Sequence, residues 1–339
     1  MKLLTFVPGA GAFETAPGEA RRIGALMADG GRVLDLTTAA TARMGADAGF
    51  AASMLALIDA GADGLGRAAE LLAEAERGGA AAGAVVALDA ISFRSPLPRP
   101  RQMRDCLVFE THLIQAMEGG RRLLAGLKGT TPEALGLPPV TVPQVWYEQP
   151  IYYKANRFSV IGHEQPVRWP SHSKLMDYEL ELGIVLAKGG RDIPAATAHD
   201  HIFGYTIFND MTARDTQFTE MQGSLGPAKG KDFDTGNIIG PWIVTADEMT
   251  DPYALGMRVR VNGELRGEGS SASMQHRFDR ILAHISRDET LHAGEFIGSG
   301  TVGNGCGIET GQLLDPGDVV ELEIDGIGRL RNRITPPRV

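Results

Sequence analysis

The sequence predicts a two-part α+β protein: a small N-terminal α/β module over residues 1–95 and a larger, strand-rich domain over residues 96–339. Three stretches carry that prediction. From Asp177 to Ile184 the chain alternates strictly, with Asp177, Glu179 and Glu181 on one side and Tyr178, Leu180, Leu182 and Ile184 on the other. This is the period-two pattern of a strand with one apolar face. The run IFGYTIFND reads as a second apolar strand that ends in Asp210, just before a helix-like MTARDTQ. Helical, Ala-rich segments fill the N-terminal part and stop before SFRSPLPRPRQ, where three prolines in five residues mark an extended linker.

Taken in order, Leu3–Val7 and Arg32–Leu36 read as short strands, and SMLALIDAGADG and GRAAELLAEAERGG as helices, the second stopped by Gly78 and Gly79. No residue of this module joins a chemical constellation, which suggests a structural or dimer-supporting part. After the linker, RDCLVFETHLIQAMEGGRRLLAGL reads as largely helical, which would place Asp105 and His112, seven apart, on one face. The alternative is an Asp105 that caps the helix and a His112 packed in the core. The segment PQVWYEQPIYYKANRFSVIGHEQPVRWP sets aromatics, Lys154 and Asn156 between prolines and suggests a wall of loops and strands. Arg214 and Gln217 are three apart on a short helix and share a face. Arg offers a fork for a carboxylate and Gln a donor to an oxyanion, unless Arg214 simply pairs with Asp215 or Asp234.

Gly298, Gly300 and Gly303 form a formal G-x-G-x-x-G, but a dinucleotide fingerprint must open a helix within a βαβ unit. NGCGIETG follows, and a loop with no helix is expected there. LLDPGDVVELEIDGIGRLRNRI reads as two closing strands joined at glycines. His199, Asp200 and His201 resemble a ligand set but precede the strand on the side away from Asp210, and are expected at the surface.

The chemistry centres on the acids. Same-face neighbours on a strand lie roughly 7 Å apart at the backbone, so Glu179 and Glu181 can bend toward one cation, and Asp210 brings a third carboxylate. Oxygen ligands without Cys or an adjacent His suit Mg²⁺, Mn²⁺ or Ca²⁺ better than Zn²⁺ or Cu²⁺. The competing reading is an acidic, solvated strand face. With 43% hydrophobic and 22% charged residues and 43 glycines, the chain has the composition of a turn-rich globular protein. A net charge of -9 argues against nucleic acid or an anionic membrane as partner. Cys106 and Cys306 make neither a disulfide framework nor a zinc pattern. The apolar run at the start is too short for a signal peptide, and no stretch is long enough to span a bilayer, so a cytoplasmic location is expected.

DYELEL, then GYTIFNDMTARDTQ, then GPAKGKDFDT, together resemble the fumarylacetoacetate hydrolase family, whose catalytic domain carries an E-x-E strand, an N-D-x-x-A-R-D-x-Q segment and a G-K-x-F segment in that order. The likeness runs from about Asp105 to the C-terminus. It implies a mixed, mostly antiparallel β-roll and a Mg²⁺ ion, with Mn²⁺ or Ca²⁺ as alternatives, held by Asp105, Glu179, Glu181 and Asp210. It also implies a catalytic His112 oriented by Glu309, with Lys231 close to the metal and Tyr153 and Thr301 touching substrate beside Arg214 and Gln217. A homodimer joined through its catalytic domains is expected, with the linker at Pro96–Pro100 letting the small module move. The activity implied is hydrolysis of a C–C bond in a 1,3-diketone or acylpyruvate, a small anionic oxo acid or diketone. Members of the superfamily also decarboxylate, isomerise or dehydrate sugar acids, but lyase-type members often lack the His–Glu pair, so His112 and Glu309 favour hydrolysis. A non-catalytic cation-binding protein is the alternative from another class.

Overall fold

A computed structural model describes residues 1–11 and 18–337. The N-terminal part contains β1 (Lys2–Pro8), β2 (Arg22–Leu26), β3 (Arg32–Asp35), α1 (Leu36–Met44), α2 (Met54–Asp59), α3 (Gly61–Glu76), β4 (Val85–Ala87) and β5 (Ile91–Arg94). Asp35 caps α1 by accepting the Thr38 N–H, and Ser53 caps α2 by accepting that of Ala56. The middle of the chain supplies β6 (Met103–Cys106), α4 (Glu110–Leu127), α5 (Gln144–Glu148), β7 (Tyr152–Lys154), β8 (Val160–Ile161), β9 (Val167–Arg168), β10 (Met176–Asp177) and β11 (Leu180–Leu186). Then follow β12 (Ile202–Asp210), β13 (Thr212–Ala213), α6 (Arg214–Met221), β14 (Asn237–Thr245), β15 (Gly256–Val261), β16 (Glu264–Ser270), α7 (Phe278–Ile285), β17 (Phe296–Gly298), α8 (Gly307–Thr310), β18 (Val319–Ile324) and β19 (Gly328–Thr335).

The strands form an open 12-stranded sheet in the order β4-β3-β2-β1-β14-β12-β11-β17-β6-β7, with β5 beside β1 and β8 beside β14. A five-stranded sheet, β16-β15-β18-β19-β9, packs against it. Pairing is mostly antiparallel, with parallel contacts at β17–β6, β14–β8 and β19–β9. The α+β class with open mixed sheets is therefore the one the sequence predicts. The closing hairpin β18–β19 is also where the glycines place it.

The structure departs from expectation at four places. The alternating stretch is two strands: β10 pairs with β13, the chain breaks at Tyr178–Glu179, and β11 then enters the large sheet. Neither face of β11 is solvated. Leu180, Leu182 and Ile184 pack toward the five-stranded sheet, while Val185 packs with Phe208 and Phe296 toward the N-terminal helices. The helix expected from Arg104 starts only at Glu110, because Met103–Cys106 is claimed by ladders to β17 and β7. A single helical turn, α8, forms where a loop was expected: buried Asp177 accepts the N–H groups of Gly307 at 2.7 Å and Ile308 at 2.9 Å and satisfies the helix start. The linker expected to be extended at Pro96–Pro100 is packed, with Pro96, Leu97 and Pro100 buried. The N-terminal strands extend the central sheet through β1–β14, where Lys2 faces Val244 and Leu3 faces Ile243.

Candidate active site

Three strands of the large sheet, the adjacent β12 and β11 and, beyond β17, β6, build the floor of the site. β6 carries Asp105, β11 carries Glu181, and β12 ends in Asp210. Each offers a carboxylate oxygen within 4.8 Å of the others, and all three side chains are buried. Gly298 on β17 lies between the first two. A Cβ there would stand 2.4 Å from Asp105 Oδ1 and 2.8 Å from Glu181 Oε2, so only glycine lets the two carboxylates converge. The Gly300 N–H donates to both, at 3.2 Å to Asp105 Oδ1 and 2.9 Å to Glu181 Oε2, and Thr301 Oγ1 donates to Glu181 Oε1 at 3.4 Å. Asp210 accepts the Tyr153 hydroxyl on Oδ2 at 2.7 Å, while its Oδ1 is buried with no hydrogen-bond partner.

Glu179, from the break before β11, stands slightly apart. Its Oε2 accepts from Lys231 Nζ at 2.5 Å and its Oε1 lies 2.8 Å from Arg214 Nη2. Lys231 Nζ also donates to Asp210 Oδ2 at 2.6 Å, so this lysine is buried between two carboxylates. Arg214 is clasped by Asp177, at 2.8 Å from Nε and 2.7 Å from Nη2, and its Nη1 donates to Gln217 Oε1 at 3.0 Å. Neither Asp215 nor Asp234 is its partner. Asp215 instead accepts from Ser173 Oγ and the Lys174 N–H.

Five buried carboxylates thus face two permanent cations, and the imbalance appears in their acidities. Burial raises Asp105 to about 7, against a hydrogen bond from Glu181 and with the charges of Asp210 and Glu179 adding to it, and raises Asp210 to about 6. Burial and Asp105 push Glu181 well above the usual carboxylate range. Glu179 is the exception: burial pulls it upward, but Lys231 and Arg214 prevail and hold it at about 2. A buried cluster short of positive charge, with one carboxylate oxygen of Asp210 left unsatisfied, fits a hard divalent cation. Asp105, Glu181 and Asp210 are the residues that could hold it, with Glu179 beside them.

Above the floor, His112 lies in the first turn of α4, and its Nδ1 is 3.0 Å from Glu309 Oε1. The other Glu309 oxygen accepts the Cys306 N–H at 3.0 Å, which fixes the carboxylate on α8. Close packing of the two helices makes the pair. A Cβ at Gly119 of α4 would meet the Ile308 carbonyl oxygen at 2.1 Å, and Arg122 donates to the Glu309 carbonyl at 2.9 Å. Tyr147, by contrast, takes Glu110 by a hydrogen bond away from the pocket. One cavity of about 330 Å³ lies between the acid floor and His112. Asp105, His112, Tyr153, Glu179, Glu181, Arg214, Gln217, Lys231 and Thr301 all line it. Asp210 reaches it through Lys231 and Tyr153, and Glu309 through His112. His199 and Asp200 are exposed on the far side.

Sequence reasoning missed Asp177. It joins the Arg214 guanidinium to the start of α8, and so ties the acid floor to the helix that carries Glu309. Its place two residues before Glu179 in the same alternation was the available signal.

Residues 133–335, well over half of the chain, match the family described as fumarylacetoacetate (FAA) hydrolase C-terminal. The chain belongs to the fumarylacetoacetate hydrolase family, an enzyme family. Asp105 and His112 lie before the matched stretch. Oxaloacetate tautomerase YisK of Bacillus subtilis is 38% identical over 191 residues, 55% of this chain and 62% of that protein. An uncharacterized protein of Staphylococcus haemolyticus is 39% identical over 180 residues, 52% of this chain and 58% of that one. The match thus spans little more than half the length of these relatives. Among solved structures, fumarylacetoacetate hydrolase from Exiguobacterium antarcticum is similar over 99% of this chain and 100% of its own, with 26% identity and a TM-score of 0.67. No helix among the described residues is long and apolar enough to cross a membrane.

Proposed function

We propose that the chain is a divalent-metal-dependent hydrolase that cleaves a C–C bond in a 1,3-diketone or acylpyruvate. The observation that carries this reading is the His112–Glu309 pair set 3.0 Å apart at the rim of the carboxylate floor. Asp105, Glu181 and Asp210, with Glu179, would hold Mg²⁺ or Mn²⁺. When bound, that ion supplies Lewis-acid polarisation of the carbonyl and stabilisation of the departing enolate.

The chain's own residues account for the proton transfers. Glu309 accepts the Nδ1 proton of His112 and fixes the tautomer, which leaves Nε2 to take a proton from water. The hydroxide equivalent adds to the carbonyl carbon. The tetrahedral intermediate then breaks its C–C bond to give a carboxylic acid and an enolate, which His112 reprotonates at carbon. Gln217, whose Oε1 is taken by Arg214, offers its amide N–H groups to substrate oxygen. Lys231 and Arg214 hold Glu179 ionised, Thr301 steadies Glu181, and Tyr153 steadies Asp210.

One second reading has specific support, since a relative at 38% identity is an oxaloacetate tautomerase. On the same floor, His112 would move a proton between the carbon and oxygen of an enol without adding water. Incubating the chain with acylpyruvates and with enol-form oxo acids in the presence of Mg²⁺, and resolving the products by chromatography, separates the two. Carboxylic acid release supports hydrolysis, whereas enol–keto interconversion with no cleavage supports the tautomerase. Assembly as a homodimer is part of the proposal, with residues 1–95 as a supporting unit; light scattering should give twice the 36.2 kDa chain mass.

A further inference from the structure

The cavity changes character with height. Its floor is charged, but the outer wall is made by Leu113, Ala116 and Met117 of α4, Ile151 ahead of β7, and Phe218 and Met221 of α6. Positions 113, 116 and 117 share one helical face, as do 218 and 221, so the two helices turn apolar sides toward the same space. Met117 and Met221 are 39% and 52% exposed, large apolar side chains left in water beside a pocket.

Arg214 and Lys231 are the only Arg and Lys among the described residues lining the cavity. Both sit at the floor, and both are already committed: Arg214 to Asp177 and Glu179, Lys231 to Glu179 and Asp210. A dicarboxylate whose first carboxylate and oxo group lie on the floor would bring its second carboxylate against this wall, where no cation meets it. An unpaired anion entering an apolar wall loses hydration without compensation. An alkyl or aryl end gains instead, because it covers exposed thioethers and moves its own apolar surface out of water. Methionine is also the side chain best able to reshape around varied tails.

We propose that this pocket selects oxo acids or 1,3-dicarbonyl compounds whose far end is an uncharged apolar chain or ring, in preference to those that end in a second carboxylate. The proposal rests on the reading that the oxo-acid end binds the metal-loaded floor, and it adds the chemistry of the other end.

Calorimetric titration of the full chain, loaded with Mn²⁺, tests it without turnover. The probes are a 2-oxo monoacid series from pyruvate to 2-oxooctanoate, and 2-oxooctanedioate, in which the terminal methyl is replaced by a carboxylate. Affinity should rise about three- to fourfold per methylene until the wall is covered, and 2-oxooctanoate should bind at least about tenfold more tightly than the diacid. Met221→Lys should narrow or reverse that preference by giving the diacid a cation. Equal affinity for the two eight-carbon acids, or no dependence on chain length, overturns the proposal while pyruvate binding leaves the floor reading intact. Failure of every oxo acid to bind the Mn²⁺-loaded chain would sink both. Selective binding of the monoacids with no cleavage of any diketone would sink the hydrolase alone and support the selectivity.

Discussion

The floor and the wall of the pocket are built on opposite terms. The floor comes from β6, β11 and β12, interior strands of a wide sheet, where ladders on both sides fix each backbone and every acid is buried. The wall comes from α4 and α6, helices with solvent on one side and large apolar residues left exposed. A sheet centre can hold like charges together because strand register forbids them to separate; a surface helix holds nothing so tightly and can change its side chains at little cost. On the proposed function, the contrast gives chemistry to the floor and choice of substrate to the wall.

The strongest way to break that division is to remove the ion. Exhaustive treatment with a chelator should abolish turnover, and Mg²⁺ or Mn²⁺ should restore it, since hard oxygen sites exchange such ions readily. Full activity in a demonstrably metal-free sample would end the mechanism. Next in size is His112→Ala, which should lower kcat about 10²- to 10⁴-fold, the range for a lost general base, while Mn²⁺ affinity stays near that of the parent. If the ion were lost with the imidazole, His112 would belong to the floor and not to the pair above it.

Gly298→Ala sharpens the comparison from the side of stability. The added methyl would lie 2.4 Å from Asp105 Oδ1, and overpacking of this kind costs about 1–3 kcal/mol. The same change should weaken metal binding by forcing Asp105 and Glu181 apart. Met221→Ala on the wall should stay within about 0.5 kcal/mol of the parent, as exposed substitutions do. Chemical denaturation of both variants checks the ranking, and equal costs would erase the distinction between the two regions.

The smallest expected effect depends on pH. Asp105 at about 7 and Asp210 at about 6 are raised above their ordinary 3.8, so the folded, metal-free chain binds more protons than the unfolded one. Their contribution to its stability is full below about pH 4 and is lost as pH climbs toward 7. A bound cation takes over the protons' role, so the gap in Tm between metal-loaded and metal-free chain should widen over roughly pH 5 to 7.5. His163, held by burial at about 4, titrates in the opposite sense but acts on both forms and cancels in the difference. A gap that stayed flat across the window would mean that the carboxylates do not exchange protons for the ion.

Much of the floor was legible because it is written in local order. Strict alternation placed Asp177, Glu179 and Glu181 on one side, and the IFGYTIFND strand delivered Asp210 at its end. What was hidden depends on partners far away in sequence. Asp105 looked helical because the short apolar run after it cannot distinguish the two periods, and only its ladders to β17 and β7 decide for a strand. The α8 turn runs against the propensity of glycine and exists because Asp177, some 130 residues earlier, caps it. The embrace of Glu179 and Asp210 by Lys231 could not be read from a glycine-bearing turn, where a lysine ordinarily faces water.

The joint between β1 and β14 sets a timetable for making the protein. The N-terminal strands can pair among themselves as soon as they emerge, but Lys2 and Leu3 meet their neighbours on the central side only when Ile243 and Val244 have left the ribosome. At roughly 5–20 residues per second, that delay is on the order of ten seconds or more. Through it, the nascent sheet keeps an unfinished edge, the kind of surface that invites pairing with other chains. Contacts closed across so much sequence also form slowly once both strands are present. Yield of the native chain should therefore respond to growth temperature and to chaperone supply, which act during that interval, more than to changes confined to the pocket.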